Sequence, residues 1–268
     1  VLNTPPHTEL RELALRLAFE AGAELVARQP GLSIDAAGVE TKTSASDPVS
    51  AADRASEKLI TDGLTAARPG DGLLGEEGAS RPSTTGLTWV IDPLDGTVNY
   101  LYGRLDWCVS IAVEDQAGAL VGVVHQPRTG LTWSAARGAG AVRNDVALGP
   151  LRDVVLDSAL VSTGFSYLPE VRAEQADHLR RLLPVVRDMR RGGSAALDLC
   201  SVADGTADAY YEHLIQPWDI AAGSLIAREA GAQVITGTAL PHGVLAAAPA
   251  LAAALVELLA PSTPRRSV

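Results

Sequence analysis

Residues 88–100, TWVIDPLDGTVNY, set two carboxylates three positions apart at the end of an apolar run. The spacing predicts a strand ending at Asp92, a turn imposed by Pro93, and Asp95 on the same side of that turn. Such a bend turns the Leu94 carbonyl outward as a third oxygen, and Gly96 lets a ligand approach the backbone closely. Hard oxygen ligands of this kind suit Mg²⁺ better than zinc or copper. The Gly96 and Thr97 amides, with the Thr97 hydroxyl, could receive phosphate oxygens as a small anion nest. Taken alone, a DxxD pair can also do no more than cap a turn.

Further candidates lie far along the chain. Glu76 sits in GEEG, residues 75–78, which alone reads as an exposed acidic turn. Asp219 opens WDIAAGSLIAREAGA, residues 218–232, where it suits a helix N-cap, while Ala221, Ala222 and Gly223 suit close helix packing. Gly193-Ser194 precedes an apolar helical pattern, leaving helix N-terminal amides for an anion or a polar substrate, or simply a capped helix. Asp53 falls early in another helical pattern, where an acid complements the dipole. Tyr210 and Tyr211 read as packing residues, and His213 has no other histidine at metal-ligand spacing.

The string WVIDPLDGTVNY resembles the first signature of the inositol monophosphatase family of lithium-sensitive, metal-dependent phosphatases, and WDIAAGSLIAREAGA fits the second. GEEG matches the family's glutamate motif, with Gly78 where many members carry Ser. The resemblance implies that Glu76, Asp92 and the Leu94 carbonyl hold one Mg²⁺ and that Asp92, Asp95 and Asp219 hold a second, for two or three Mg²⁺ per site. Physically, these acids from distant segments belong together only around cations, because without them mutual repulsion discourages ionisation. In TKTSASDPVSAAD, Lys42 and Asp53 align with the family's active-site loop, and Asp53 would pair with Thr97 to help activate water. Lys42 is either a phosphate partner or a solvated loop charge. The implied catalytic set is Glu76, Thr97, Asp53 and Lys42. Substrate contacts would come from Asp95, Gly96, Thr97, Ser194, Ala195 and Glu212, the last seven residues before Asp219.

By the same resemblance, the expected activity is Mg²⁺-dependent hydrolysis of myo-inositol 1-phosphate by activated water, with no covalent enzyme intermediate and with lithium inhibition. Val98-Asn99-Tyr100 stands where several relatives carry an Arg-aromatic pair, and looks like the inositol phosphate branch. The string RRGGSAALDLC with DAYYEH is similar to bacterial SuhB-type members. A histidinol-phosphate or broad sugar phosphatase is the alternative within the family. A transcription antitermination partner is the alternative of another class, and a homodimer is typical of relatives.

These residues need a scaffold, and 268 residues with 47% hydrophobic content provide a core for one large or two smaller domains. Leu10, Leu13, Leu17, Ala21 and Leu25 recur at helical spacing after Thr8, a candidate N-cap, and a second helix is expected from about Ser50 to Arg68. Residues 73–142 read as short strands of an extended, largely antiparallel sheet; beyond Pro150, strands and helices alternate as for a mixed sheet with helices on its faces. Residues 1–149 thus form an N-terminal α+β half with the metal-binding motifs, and 150–268 an α/β half that completes the site. The resemblance implies a layered αβαβα sandwich.

The net charge of −10 disfavours direct nucleic-acid binding but leaves protein partners open. Cys108 and Cys200 are too few for a disulfide framework and read as buried free thiols. No basic-then-apolar leader is seen, and the Ala-rich stretch at 244–260 is interrupted by Pro249 and Glu257, so a cytoplasmic protein without a membrane span is expected.

Overall fold

The computed structural model of the protein describes residues 7–29, 40–41, 48–49, 51–236 and 243–260. Its first half runs α1 (His7–Arg28), β1 (Glu40–Thr41), β2 (Pro48–Val49), α2 (Ala51–Ala67), β3 (Gly72–Gly75), β4 (Ser80–Arg81), β5 (Thr88–Asp95) and α3 (Thr97–Leu101). Strands β6 (Cys108–Asp115), β7 (Gly118–Gln126), β8 (Leu131–Ala136), β9 (Ala141–Arg143) and β10 (Val146–Ala147) follow. The rest is β11 (Leu160–Thr163), α4 (Pro169–Leu182), β12 (Asp188–Arg190), α5 (Ala195–Asp204), β13 (Ala209–His213), α6 (Pro217–Glu229), β14 (Gln233–Thr236), β15 (Gly243–Ala247) and α7 (Pro249–Leu259).

An eight-stranded sheet has the order β10-β9-β8-β7-β6-β5-β3-β4 and is antiparallel except where β3 pairs with β5. A five-stranded mixed sheet has the order β12-β11-β13-β15-β14, with β11 parallel to β12 and β13. The expected antiparallel and mixed sheets are both present. Burial with period two explains the layering. Trp89, Ile91, Val109, Ile111 and Val113 join the core under α1 and α2, whereas Val90, Cys108 and Ala112 join the opposite core under α5 and α6. In the second sheet, Tyr210, Val244 and Ala246 face α5 and α6, while Tyr211, Leu245 and Ala247 face α7. The result is five layers, α1α2, sheet, α5α6, sheet, α4α7, the αβαβα arrangement.

Three local expectations need correction. Helix α1 already includes His7, so Thr8 lies in its first turn instead of capping it. Strand β5 does not stop at Asp92 but continues to Asp95. Asp219 is not the N-cap of α6: Gln216 is, with Pro217 following and Asp219 at the third helical position of a capping box. Proline prefers the first helical position, which moves the cap back to Gln216.

Candidate active site

Strands β5 and β6 pair in register to Asp92 opposite Ser110, and the next pair is Asp95 opposite Cys108. Three steps on β5 therefore match two on β6, a bulge that contains Pro93 and Leu94. In a regular strand, residues three apart point to opposite faces; the extra residue cancels the offset and turns both aspartates toward the α5–α6 layer. Pro93, with no N–H to give to a ladder, is tolerated there. The Leu94 amide donates to Asp92 Oδ1 at 3.0 Å, and Ser56 of α2 donates to the Pro93 carbonyl at 2.8 Å, so the bulge is held from within and from the outer helix. Gly96 then takes the left-handed conformation, φ 93° and ψ 37°, that starts α3.

Thr97, first in α3, donates its hydroxyl to Asp53 Oδ1 at 3.0 Å and lies 3.1 Å from the Leu94 carbonyl oxygen. One proton serves one acceptor at a time, and a carboxylate is the stronger. The hydrogen bond between Thr97 and Asp53 that the family resemblance implied is present in the structure. Asp53 is wholly buried on α2, and four residues further on the same face lies Glu57, a residue the sequence reading passed over. The Glu57 carboxylate accepts from the Glu77 amide at 2.9 Å and the Ala79 amide at 3.0 Å, holding the turn that carries Glu76.

Asp95 reaches across to the second half of the chain. Its Oδ2 accepts from the Ser194 hydroxyl and the Ala196 amide, each at 2.7 Å, with the Ala195 amide also bonded to the carboxylate. Ser194 is the N-cap of α5 and accepts from the Leu197 amide at 3.2 Å. The amides at the start of α5, expected to be open to a ligand, are therefore engaged by a protein carboxylate. Asp219 Oδ2 accepts from the Gln216 amide at 2.9 Å.

Burial, then the charges of Glu76, Asp95 and Asp219, hold the Asp92 carboxyl well above the ordinary carboxylate range. Burial first, then Asp95 and Glu76, do the same to Asp219. Asp95 is pushed up to about 6 by burial, which outweighs the donors from Ser194 and Ala196. Asp92, Asp95 and Asp219 thus share one field, to which Glu76 adds its charge, and burial with like charge opposes the ionisation of these three aspartates. Among the described residues no lysine or arginine hydrogen-bonds Asp92, Asp95 or Asp219. An all-oxygen acidic set of this kind fits hard divalent cations. Among the described residues no three acidic, His or Cys side chains are grouped so that they could together hold a metal ion.

On the far side of α5, Glu212 of β13 accepts from the Tyr210 hydroxyl at 2.6 Å. Burial raises Glu212 to about 7 in spite of that bond. Asp198 of α5 is buried nearby, its carboxyl held well above the usual range by burial and then by the charge of Glu212. Asn99 donates to the carbonyls of Asp106 at 2.6 Å and Gly192 at 2.9 Å, tying α3 to the loop before α5. Asn99 entered the sequence reading only within the string Val98-Asn99-Tyr100, and Asp198 only within RRGGSAALDLC; for Asp198 the signal was an acid one turn after Ser194, among the apolar residues that open α5. Lys42 lies outside the described residues.

Two sheets interleaved with three helical layers, and an acidic centre where the bulge of the first sheet meets both middle helices, define a layered α/β protein with a cation-suited site. A sequence model described as the inositol monophosphatase family matches residues 7–265, and the chain belongs to the inositol monophosphatase family. It is similar to the inositol-1-monophosphatase of Mycobacterium leprae, 44% identical over 274 aligned residues covering 94% of this chain and 93% of the relative. The Nus factor SuhB of Xylella fastidiosa is 44% identical over 189 aligned residues, 70% of this chain and 68% of the relative. Among solved structures, the extragenic suppressor protein suhB of Bartonella henselae superposes with a TM-score of 0.88 at 33% identity, covering 95% of this chain and 100% of that one. Among the described residues no helix is long and apolar enough to cross a membrane.

Proposed function

We propose that the protein is a Mg²⁺-dependent phosphomonoesterase acting on myo-inositol 1-phosphate. The observation that carries this reading is the Thr97–Asp53 hydrogen bond directly beside the mutually repelling Glu76, Asp92, Asp95 and Asp219. Held by Glu76, Asp92, the Leu94 carbonyl, Asp95 and Asp219, two or three Mg²⁺ ions would supply the positive charge that offsets this repulsion and the Lewis acidity that phosphoryl transfer requires. Thr97, committed as donor to Asp53, offers its own oxygen to a water proton, and Asp53 is the group to which that proton can pass. Glu76 is the second acceptor for the same water, and Lys42 is assigned to the phosphate side. The Gly96 and Thr97 amides at the start of α3 receive phosphate oxygens. Ser194 and Ala195 hold Asp95 in place and flank the substrate, and Glu212 accepts hydrogen bonds from hydroxyls of the leaving alcohol.

Lithium inhibition, a homodimer and a cytoplasmic setting belong to the same reading and rest on the family resemblance. Phosphate release from myo-inositol 1-phosphate, histidinol phosphate, fructose 1,6-bisphosphate and adenosine 3′,5′-bisphosphate tests it, with EDTA and Li⁺ controls. The expected result is preference for the inositol ester, lost in EDTA and depressed by lithium. Preference for histidinol phosphate or another sugar ester would move the protein to a sister activity. The relative described as a Nus factor favours a second reading, a protein partner in transcription antitermination. That reading becomes the leading one if no ester yields phosphate and the protein captures transcription factors from lysate.

A further inference from the structure

On β13, Tyr210 and Glu212 are two residues apart and face the α5–α6 layer together, while Tyr211 faces α7. The Tyr210 ring is fully buried among Leu199, Val202, Ala227 and Val244, and its hydroxyl reaches Glu212 Oε2 at 2.6 Å. Gly164 packs against the same carboxyl, where a Cβ would collide first with Oε2, the oxygen that Tyr210 bonds. One oxygen of Glu212 is therefore fixed by a donor that cannot move, in a slot that leaves the carboxyl little freedom. Ser162, paired with Tyr210 across β11, hydrogen-bonds Asp198, so a second acid faces Glu212 across the layer, with the Arg191 charge acting on both. A buried Asp198 and a half-buried Glu212 packed beside Leu199, Val202, Ala227 and Val244 are costly to stability, and a polar network of this kind is justified by what it orients.

We propose that Tyr210 is a positioning residue for substrate selection: its hydroxyl orients the Glu212 carboxylate as an acceptor for ring hydroxyls, and so sets a preference for polyol phosphates over monoesters of alcohols that bear no further hydroxyl. The inference rests on the phosphomonoesterase reading and adds to it the residue that enforces its alcohol specificity. It is tested by kcat/KM for myo-inositol 1-phosphate and for cyclohexyl phosphate, the same ring without the other hydroxyls, in the wild type, Tyr210→Phe, Glu212→Gln and the double variant.

In Tyr210→Phe the ratio of the two kcat/KM values falls about 10-fold, chiefly through KM for the inositol ester, as expected for losing a hydrogen bond to a charged group. In the Glu212→Gln background, Tyr210→Phe leaves the ratio where Glu212→Gln alone has set it, because the group being oriented is gone. A Tyr210→Phe variant that slows both esters equally, or effects that multiply in the double variant, would overturn the proposal and leave Tyr210 a packing residue. Mg²⁺-dependent release from both esters without preference in the wild type would overturn this proposal alone; no release from either would overturn the phosphomonoesterase reading with it.

Discussion

At the residue scale, the centre is a balance of like charges held apart by neutral donors. In chelator, Asp95 in the folded protein binds its proton up to about 6, against an ordinary 3.8, so the folded state carries more proton than the unfolded chain between those values. Stability from this group therefore falls as pH rises through that window. His125, pushed down to about 4 by burial, acts in the opposite sense: its imidazole is neutral when folded and charges on unfolding, so stability rises with pH between about 4 and 6.5. Thermal unfolding with and without Mg²⁺ separates the two, since His125 contributes equally to both. The stabilisation by Mg²⁺ is expected to grow from pH 5 to pH 7 as protons leave the carboxylates; a pH-independent increment would remove these acids as its ligands. Thr97→Val keeps the shape of the side chain and removes its hydroxyl, and is expected to lower kcat about 100-fold with little change in KM, as steady-state kinetics will read. Asp92, Asp95, Asp219 and Glu76 were legible in the sequence because each lies inside a specific string. Tyr210 was read only as packing, because its bond to Glu212 requires knowing which strand face both occupy.

At the element scale, position comes from departures from regularity. The β5 bulge turns two aspartates the same way, and it was not legible because a bulge is defined by register with β6, not by residues 88–100 alone. A strand ending at Asp92 was the natural reading of Pro93; the ladder instead resumes at Asp95. Helix α2 acts through Glu57, whose acceptors for the Glu77 and Ala79 amides come from 20 and 22 residues away, beyond what local pattern reveals. Glu57→Ala leaves two amides without their acceptor and is expected to destabilise the fold by about 2 kcal/mol in urea unfolding. It should also raise the Mg²⁺ concentration for half-maximal activity about 10-fold, although Glu57 is assigned to no metal, because the Glu76 turn loses its anchor. Activation by Mg²⁺ unchanged from wild type would show that the turn holds itself.

At the scale of the whole molecule, the site exists because the layers meet. Asp95 from the first sheet is bonded by the N-terminus of α5, and Asp219 comes from α6, so the acidic cluster draws on the first sheet and both middle helices. The close approach of the two middle helices depends on Gly223, where a Cβ would lie 2.8 Å from Leu199 Cβ. Gly223→Ala is expected to cost about 1–3 kcal/mol in unfolding free energy and to lower activity by shifting Asp219 against Asp95. The two kinds of sheet were legible from the change of pattern near Pro150 and the five layers only from the family resemblance, whereas the facing of α5 and α6 depends on packing between distant residues. The central claim is that the acidic cluster is a Mg²⁺-dependent phosphatase centre with Asp92 at its heart. Phosphate release from myo-inositol 1-phosphate by wild type and Asp92→Asn, across a Mg²⁺ titration and beside thermal unfolding of each, tests it most directly. The account predicts saturable Mg²⁺ activation in the wild type and no turnover at any Mg²⁺ concentration in a fully folded variant. Near-native activity of Asp92→Asn would contradict it.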